Sequence, residues 1–142
     1  QVIISNQENY YKYLEEMQKI SEDFFKSLKI PFRVVEICSG DLGAKMAKQY
    51  DIEAWFPRQK AYQEVTSAGN TTDYQSIALN AKYLDKDEKK YVHMLNNTMV
   101  ATSRTIVAII ENFQKKDGTI IIPKPLRKYM NRKSKIKGVK NG

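Results

Sequence analysis

Cysteine and histidine each occur once in the 142 residues, as Cys38 and His93. A single cysteine excludes an intrachain disulfide, which fits a reducing compartment such as the cytoplasm. One of each is also too few for a zinc site built on cysteine and histidine. A carboxylate-held magnesium stays open, because that ion takes oxygen ligands. Long apolar runs are missing too. The longest, residues 106–110, counts five, far short of the ~20 that a membrane-spanning helix needs, so no membrane partner is expected. Residues 1–9 lack the basic start of a secretory signal. No acidic residue follows Asp117. From there to the end stand Lys124, Arg127, Lys128, Arg132, Lys133, Lys135, Lys137 and Lys140.

Those eight cations are the whole of the net charge of +8; the other 16 basic residues balance the 16 acidic ones. Such an asymmetry fits a polyanion partner, most simply a nucleic acid, or else a solvated tail that keeps the chain soluble. With 42% hydrophobic and 28% charged residues, the rest has the make-up of a globular domain.

Ser5-Asn6-Gln7-Glu8 has the form of a capping box. The apolar positions Tyr10, Leu14, Met17, Ile20, Phe24 and Leu28 follow at helical spacing, so a long amphipathic helix is expected over about residues 6–28. Pro31 closes it. Residues 32–37 are rich in strand formers. Residues 51–56 alternate, with Ile52, Ala54 and Phe56 on one face, and residues 62–67 form another strand. The polar link Pro57-Arg58-Gln59-Lys60 allows those two to make an antiparallel hairpin. Asn70-Thr71-Thr72-Asp73 can cap a helix over about residues 73–83. After a charged turn at 85–90 come a strand at 91–95 and a helix running from Asn96-Asn97-Thr98 to about residue 114. A turn at Asp117-Gly118, a buried strand at 119–122 and a short helix at 125–130 complete the domain, and residues 131–142 form a basic tail expected to be disordered. This order points to an α+β fold, an antiparallel sheet flanked by helices, and not to a doubly wound sheet. No phosphate-binding P-loop and no dinucleotide fingerprint is present.

Three polar groups fall on or near strand ends: Glu36; Glu53 with Glu64 and Ser67; and Asn96, Thr98 and Arg104. Glu64 and Ser67, three apart, lie on opposite faces of a regular strand unless it bulges. A carboxylate and a hydroxyl together can hold magnesium on nucleotide phosphates, or simply face solvent. Asn96 and Thr98 can cap a helix or line a pocket. Arg104, among apolar residues, requires an anion, either a local carboxylate or a phosphate. His93 reads as structural and Cys38 as a packing residue.

Residues 32–43 (Phe-Arg-Val-Val-Glu-Ile-Cys-Ser-Gly-Asp-Leu-Gly) and 47–57 (Ala-Lys-Gln-Tyr-Asp-Ile-Glu-Ala-Trp-Phe-Pro) resemble the serine-site region of seryl-tRNA synthetases. Residues 62–67 (Tyr-Gln-Glu-Val-Thr-Ser) and 70–75 (Asn-Thr-Thr-Asp-Tyr-Gln) continue the likeness. Residues 95–98 (Leu-Asn-Asn-Thr), Arg104, residues 111–114 (Glu-Asn-Phe-Gln) and residues 126–130 (Leu-Arg-Lys-Tyr-Met) are similar to the class II motif 3 region. The likeness covers roughly residues 1–130.

The resemblance implies a class II synthetase fold and a serine--tRNA ligase activity, in which ATP activates serine and the seryl group passes to tRNA(Ser). It implies that Glu36 holds the serine ammonium and that Asn96 and Thr98 line the serine pocket. Glu64 and Ser67 would hold Mg2+ on ATP, and Arg104 would bind the ATP phosphates, so that Arg104 and Glu64 are the expected catalytic pair. A cytoplasmic homodimer is implied for the full enzyme. The family's coiled-coil arm, motif 1 and most of motif 2 would precede Gln1, so residues 1–142 alone are expected to be inactive or very weak. Gln75-Ser76-Ile77-Ala78 stands where relatives usually show arginines. The alternative is a non-catalytic paralogue that binds nucleotide or RNA.

Overall fold

The computed structural model describes residues 1–138. Strands β1 (Val2–Ser5), β2 (Phe32–Glu36), β3 (Lys48–Phe56), β4 (Ala61–Asn70) and β7 (His93–Asn97) form one sheet in the order β1-β7-β4-β3-β2, and every pairing is antiparallel. Helices α1 (Tyr10–Leu28) and α3 (Thr102–Phe113) both lie on one face of it. The α+β expectation holds.

Of the expected α1 stripe, Leu14, Met17 and Leu28 insert against the sheet at or near zero exposure, but Ile20 is 47% exposed and Phe25, not Phe24, is the phenylalanine fully buried. One core cluster joins Phe25, Leu28, Ile52, Ala54, Phe56, Val65 and Ala108; the other joins Leu14, Met17, Ala68 and Leu95. Burying each large side chain stabilises by about 1.5–3 kcal/mol relative to leaving it in water. The outer side of α1 pairs Lys12 with Glu16, Lys19 with Asp23 and Glu22 with Lys26 at i,i+4 spacing, which adds only ~0.3–0.5 kcal/mol each. The helix stops at Lys29, which takes the left-handed conformation at φ 60°.

The expected hairpin is present: β3 and β4 pair across a turn at residues 57–60. Ile52, Ala54 and Phe56 all face the core, as their alternation required.

Several local expectations fail. Ser5 is not a helix cap; it ends β1 opposite His93. The turn into α1 is made instead by Asn6, whose Oδ1 accepts the Glu8 and Asn9 N–H groups. Helix α2 is short, Tyr74–Leu79, and has no side-chain cap. It gives way to a separate hairpin of β5 (Lys82–Asp85) and β6 (Glu88–Tyr91). Asn96 and Asn97 belong to β7, not to a helix cap, and α3 begins at Thr102. Cys38 is exposed rather than packed.

After α3, β8 (Ile120–Ile121) leads to a 3₁₀ helix (Lys124–Tyr129), and β9 (Lys135–Ile136) pairs back on β8. The basic segment expected to be disordered is therefore tied into the fold at residues 135–136; residues 139–142 of it lie outside the described residues.

Candidate active site

With α1 and α3 on one face, the other face of the sheet is left for chemistry, and register decides which side chains reach it. On β3 the positions between the core residues, Gln49, Asp51 and Glu53, point to the open face. Their partners on β4 are Gly69, Ser67 and Glu64. Between Ile52 and Glu53 the register shifts: Ile52 pairs with Thr66, Glu53 with Glu64, and Val65 has no partner. This is a β-bulge, one extra residue on β4. Val65 and Thr66 are both buried on the helix side. The bulge therefore returns Ser67 to the face that Glu64 occupies, which a regular strand would forbid.

The same bulge places α3. The Val65 carbonyl accepts the Ala101 N–H at 2.8 Å, and the Ser67 carbonyl accepts the Thr98 N–H at 2.9 Å. These two bonds pin the 98–101 loop along β4, setting Thr98 beside Ser67 and the first turn of α3 beside Glu64. Arg104, in that turn, donates from Nη1 to the Glu64 carbonyl at 2.9 Å and lies 3.2 Å from its carboxylate Oε2. The local carboxylate is thus the anion that Arg104 meets here. Both side chains are about half exposed, 52% and 45%, so the pair contributes little stability, roughly 0–1 kcal/mol. A pair so weakly held can be exchanged for a phosphate at small cost. The start of a helix also favours an anion.

Asn96 pairs with Gly69 and faces the same open side, half-buried. Next to it, the Met46 thioether lies over Gly69; a methyl group on Gly69 would fall 2.6 Å from the Met46 sulfur. The neighbouring Asn97 points the other way and is wholly structural. Its Oδ1 accepts from Thr66 Oγ1 and from the Met99 N–H, and its Nδ2 donates to the Met17 carbonyl and to Ser21 Oγ. It holds Met99 in a left-handed turn, φ 60°, just past Thr98.

Glu64, Ser67, Asn96, Thr98 and Arg104 are therefore brought together. Glu36 is not. It pairs with Tyr50 on the helix side of the sheet, where Lys48 Nζ lies 3.7 Å from it and 3.6 Å from Glu15 of α1. Lys48 is pushed up, chiefly by its hydrogen bond to Tyr50, with the two carboxylates adding. Strand parity sets Glu36 on the side of the sheet away from Asn96 and Thr98. Asp51 was missed. It stands opposite Ser67 on the open face, held by Gln49 Nε2 at 3.0 Å, and the outward alternation of Gln49, Asp51 and Glu53 is the signal that could have found it.

His93 is buried, stacked edge-on against Tyr10, with its ionisation pushed down by burial. It takes no part in this face. Among the described residues no group of three or more histidine, cysteine or acidic side chains is arranged for a metal. Magnesium asks for less, one or two carboxylates with phosphates and waters completing its shell, and Glu64 with Ser67 fits that need.

Residues 1–113 match the family model described as tRNA synthetase class II core domain (G, H, P, S and T). The chain belongs to the class II tRNA synthetase core family. Within this family it is 50% identical over 130 residues to a serine--tRNA ligase of Picrophilus torridus and 52% identical over 122 residues to that of Methanospirillum hungatei, which is 91% and 84% of this chain. The chain spans 29% of the length of either relative. A crystal structure of seryl-tRNA synthetase from Pyrococcus horikoshii complexed with ATP superposes with a TM-score of 0.94 at 47% identity, over 98% of this chain and 31% of that one. A cytoplasmic serine-tRNA ligase from Naegleria fowleri in complex with AMP gives 0.90 at 42% identity, over 99% and 33%. The antiparallel sheet with helices on one face is thus the class II synthetase architecture. No described helix is long and apolar enough to cross a membrane.

Proposed function

We propose that this chain forms part of the catalytic domain of a serine--tRNA ligase, which activates serine with ATP and transfers it to tRNA(Ser). The observation that carries the reading is the convergence of Glu64, Ser67, Asn96, Thr98 and Arg104, from two strands, a loop and a helix, on one end of the open face. The relatives' names, and the ATP and AMP in the two similar structures, support it.

In this reading the serine carboxylate attacks the α-phosphorus of ATP, the bond to pyrophosphate breaks, and seryl-adenylate forms. The 3′-terminal ribose hydroxyl of tRNA then attacks the seryl carbonyl and AMP leaves. Arg104 leaves Glu64 and takes the phosphate oxygens, where its planar fork can donate two bonds. Glu64 and Ser67 would hold magnesium, which would supply neutralisation of phosphate charge. Asn96 and Thr98 hydrogen-bond the serine hydroxyl, and alanine is rejected because it would leave those groups unpaired. Catalysis is positioning and charge neutralisation. Glu36 has no place in it. A homodimeric full enzyme in the cytoplasm belongs to the same reading.

The test is a graft. Residues 1–142 replace the matching segment of the Pyrococcus horikoshii enzyme, and serine-dependent ATP–pyrophosphate exchange is measured. Exchange is expected, with Arg104→Ala lowering kcat by roughly 10²–10³-fold, as for removal of one charge-stabilising donor. A folded graft that binds ATP yet shows no exchange would refute the reading.

A further inference from the structure

The basic segment is not absorbed by the site just described, and it is not a loose tail. Six cations, Lys124, Lys128, Arg132, Lys133, Lys135 and Lys137, are exposed. None of them takes part in a salt bridge among the described residues, whereas α1 pairs its three lysines, Lys12, Lys19 and Lys26, with its own acids in the manner of an ordinary solvated surface. The backbone beneath the six is fixed. Leu126 of the 3₁₀ helix packs on the main core, Arg127 Nε donates to the Ile122 carbonyl, and the Arg127 carbonyl accepts the Arg132 N–H at 2.8 Å. The Ile122 N–H donates to the Ser134 carbonyl, and Ile120 pairs with Ile136. Gly138 seats against Asp117 and Gly118. Within the patch Tyr129 is 74% exposed, with Lys128 Nζ 4.7 Å above its ring. Unpaired cations beside an exposed aromatic ring make a surface for phosphates and a base together.

We propose that the 3₁₀ helix and the β8–β9 pair form a sequence-independent RNA-binding patch, in which the lysines and Arg132 meet backbone phosphates and Tyr129 stacks on an unpaired base. It rests on the preceding reading only in that a tRNA-dependent enzyme supplies the RNA; it involves none of the active-site residues.

The experiment measures binding of the full chain to a fluorescent 20-nucleotide oligouridylate and to unfractionated tRNA from 50 to 200 mM KCl. If the six cations each displace a counterion from single-stranded RNA, affinity falls about 300-fold over that range, since the log–log slope is about −0.7 per phosphate contact. The triple variant Lys128→Ala/Lys133→Ala/Lys135→Ala should cut the fall to about 20-fold by the same relation. The matching Lys→Arg triple should keep the wild-type slope, and Tyr129→Ala should weaken oligouridylate binding at every salt concentration without changing the slope. Thermal melts confirm that each variant is folded. Alanine variants that bind RNA with the wild-type slope, or a chain that binds phosphatidylserine vesicles and not RNA, overturn the proposal. Exchange by the grafted enzyme is read separately: intact exchange with an unchanged slope sinks the patch alone, and a changed slope without exchange sinks the ligase reading alone.

Discussion

Replacing Asn97 by alanine should unfold this chain far more easily than the same change at Asn96, although the two are adjacent and chemically identical. The Asn97 side chain makes five hydrogen bonds, joining β7 to Met17 and Ser21 of α1, to Thr66 of β4, to the Met99 N–H and to Gln1 Oε1. Each is worth about 1 kcal/mol net, and the Thr66 hydroxyl would be left buried without that partner, so the loss should reach about 4 kcal/mol. In urea, with a slope near 2 kcal/mol per molar, the unfolding midpoint falls by about 2 M. Asn96 makes no side-chain hydrogen bond to the described protein groups and faces the open side; Asn96→Ala should shift stability by less than ~0.5 kcal/mol while weakening serine binding in the grafted enzyme. Asn97→Ala should also release the Met99 turn and displace Thr98, so that serine binding suffers even in the fraction that stays folded. An Asn97→Ala midpoint within 0.3 M of wild type, with ~2 M expected, would refute the assignment of the two asparagines, as would equal losses at the two positions.

Four further outcomes follow from other parts of the fold. Lys29→Gly should stabilise by about 1 kcal/mol in the same urea titration, because the residue sits exposed in the left-handed region that glycine enters without strain. Deleting Val65, the extra residue of the bulge, leaves Glu64 and Ser67 two apart and still on one face of β4, but removes the carbonyl that holds the Ala101 N–H; exchange in the graft should fall because Arg104 is displaced, and unchanged activity would mean the bulge does not place α3. Glu36→Gln should leave the KM for serine unchanged, in contrast to Thr98→Ala. Burial holds the His93 ionisation below its unfolded value, so the unfolded chain takes up a proton first as pH falls through about 6.5. Stability should therefore drop on acidification through that window, and His93→Gln should flatten this part of the pH profile of thermal unfolding.

The parts of this fold legible in the sequence are those decided within a few residues. The α1 stripe and the outward and inward alternation of β3 follow from 3.6- and 2-residue periods, and the 57–60 turn from its polar composition. What eluded the sequence depends on distant partners. Val2–Ser5 is a strand because β7 lies beside it, some 90 positions along the chain; read locally, Ser5 and Glu8 imitate a helix cap. The charged turn expected at 85–90 is present, at Lys86 with φ 52°, but without a glycine it did not mark a hairpin, and the two strands flanking it were not foreseen. At the site, the resemblance to synthetases named five residues that do converge, yet it also named Glu36, and only the count of residues along paired strands shows that Glu36 looks the other way. The bulge at Val65 was foreseen as the condition for Glu64 and Ser67 to cooperate, but no residue type announces it.

The two margins of the sheet differ in kind. β2 carries Arg33 and Glu36 along its rim, and charges there discourage another strand from docking. β1 is Val-Ile-Ile-Ser, with Val2 and Ile4 exposed at 73% and 62% and no charge on it. Growth of this sheet is therefore polarised. A further strand, whether from the same polypeptide or from a stranger, is accepted beside β1 and refused beside β2, and a solution of this segment is expected to self-associate through that one margin unless something already occupies it.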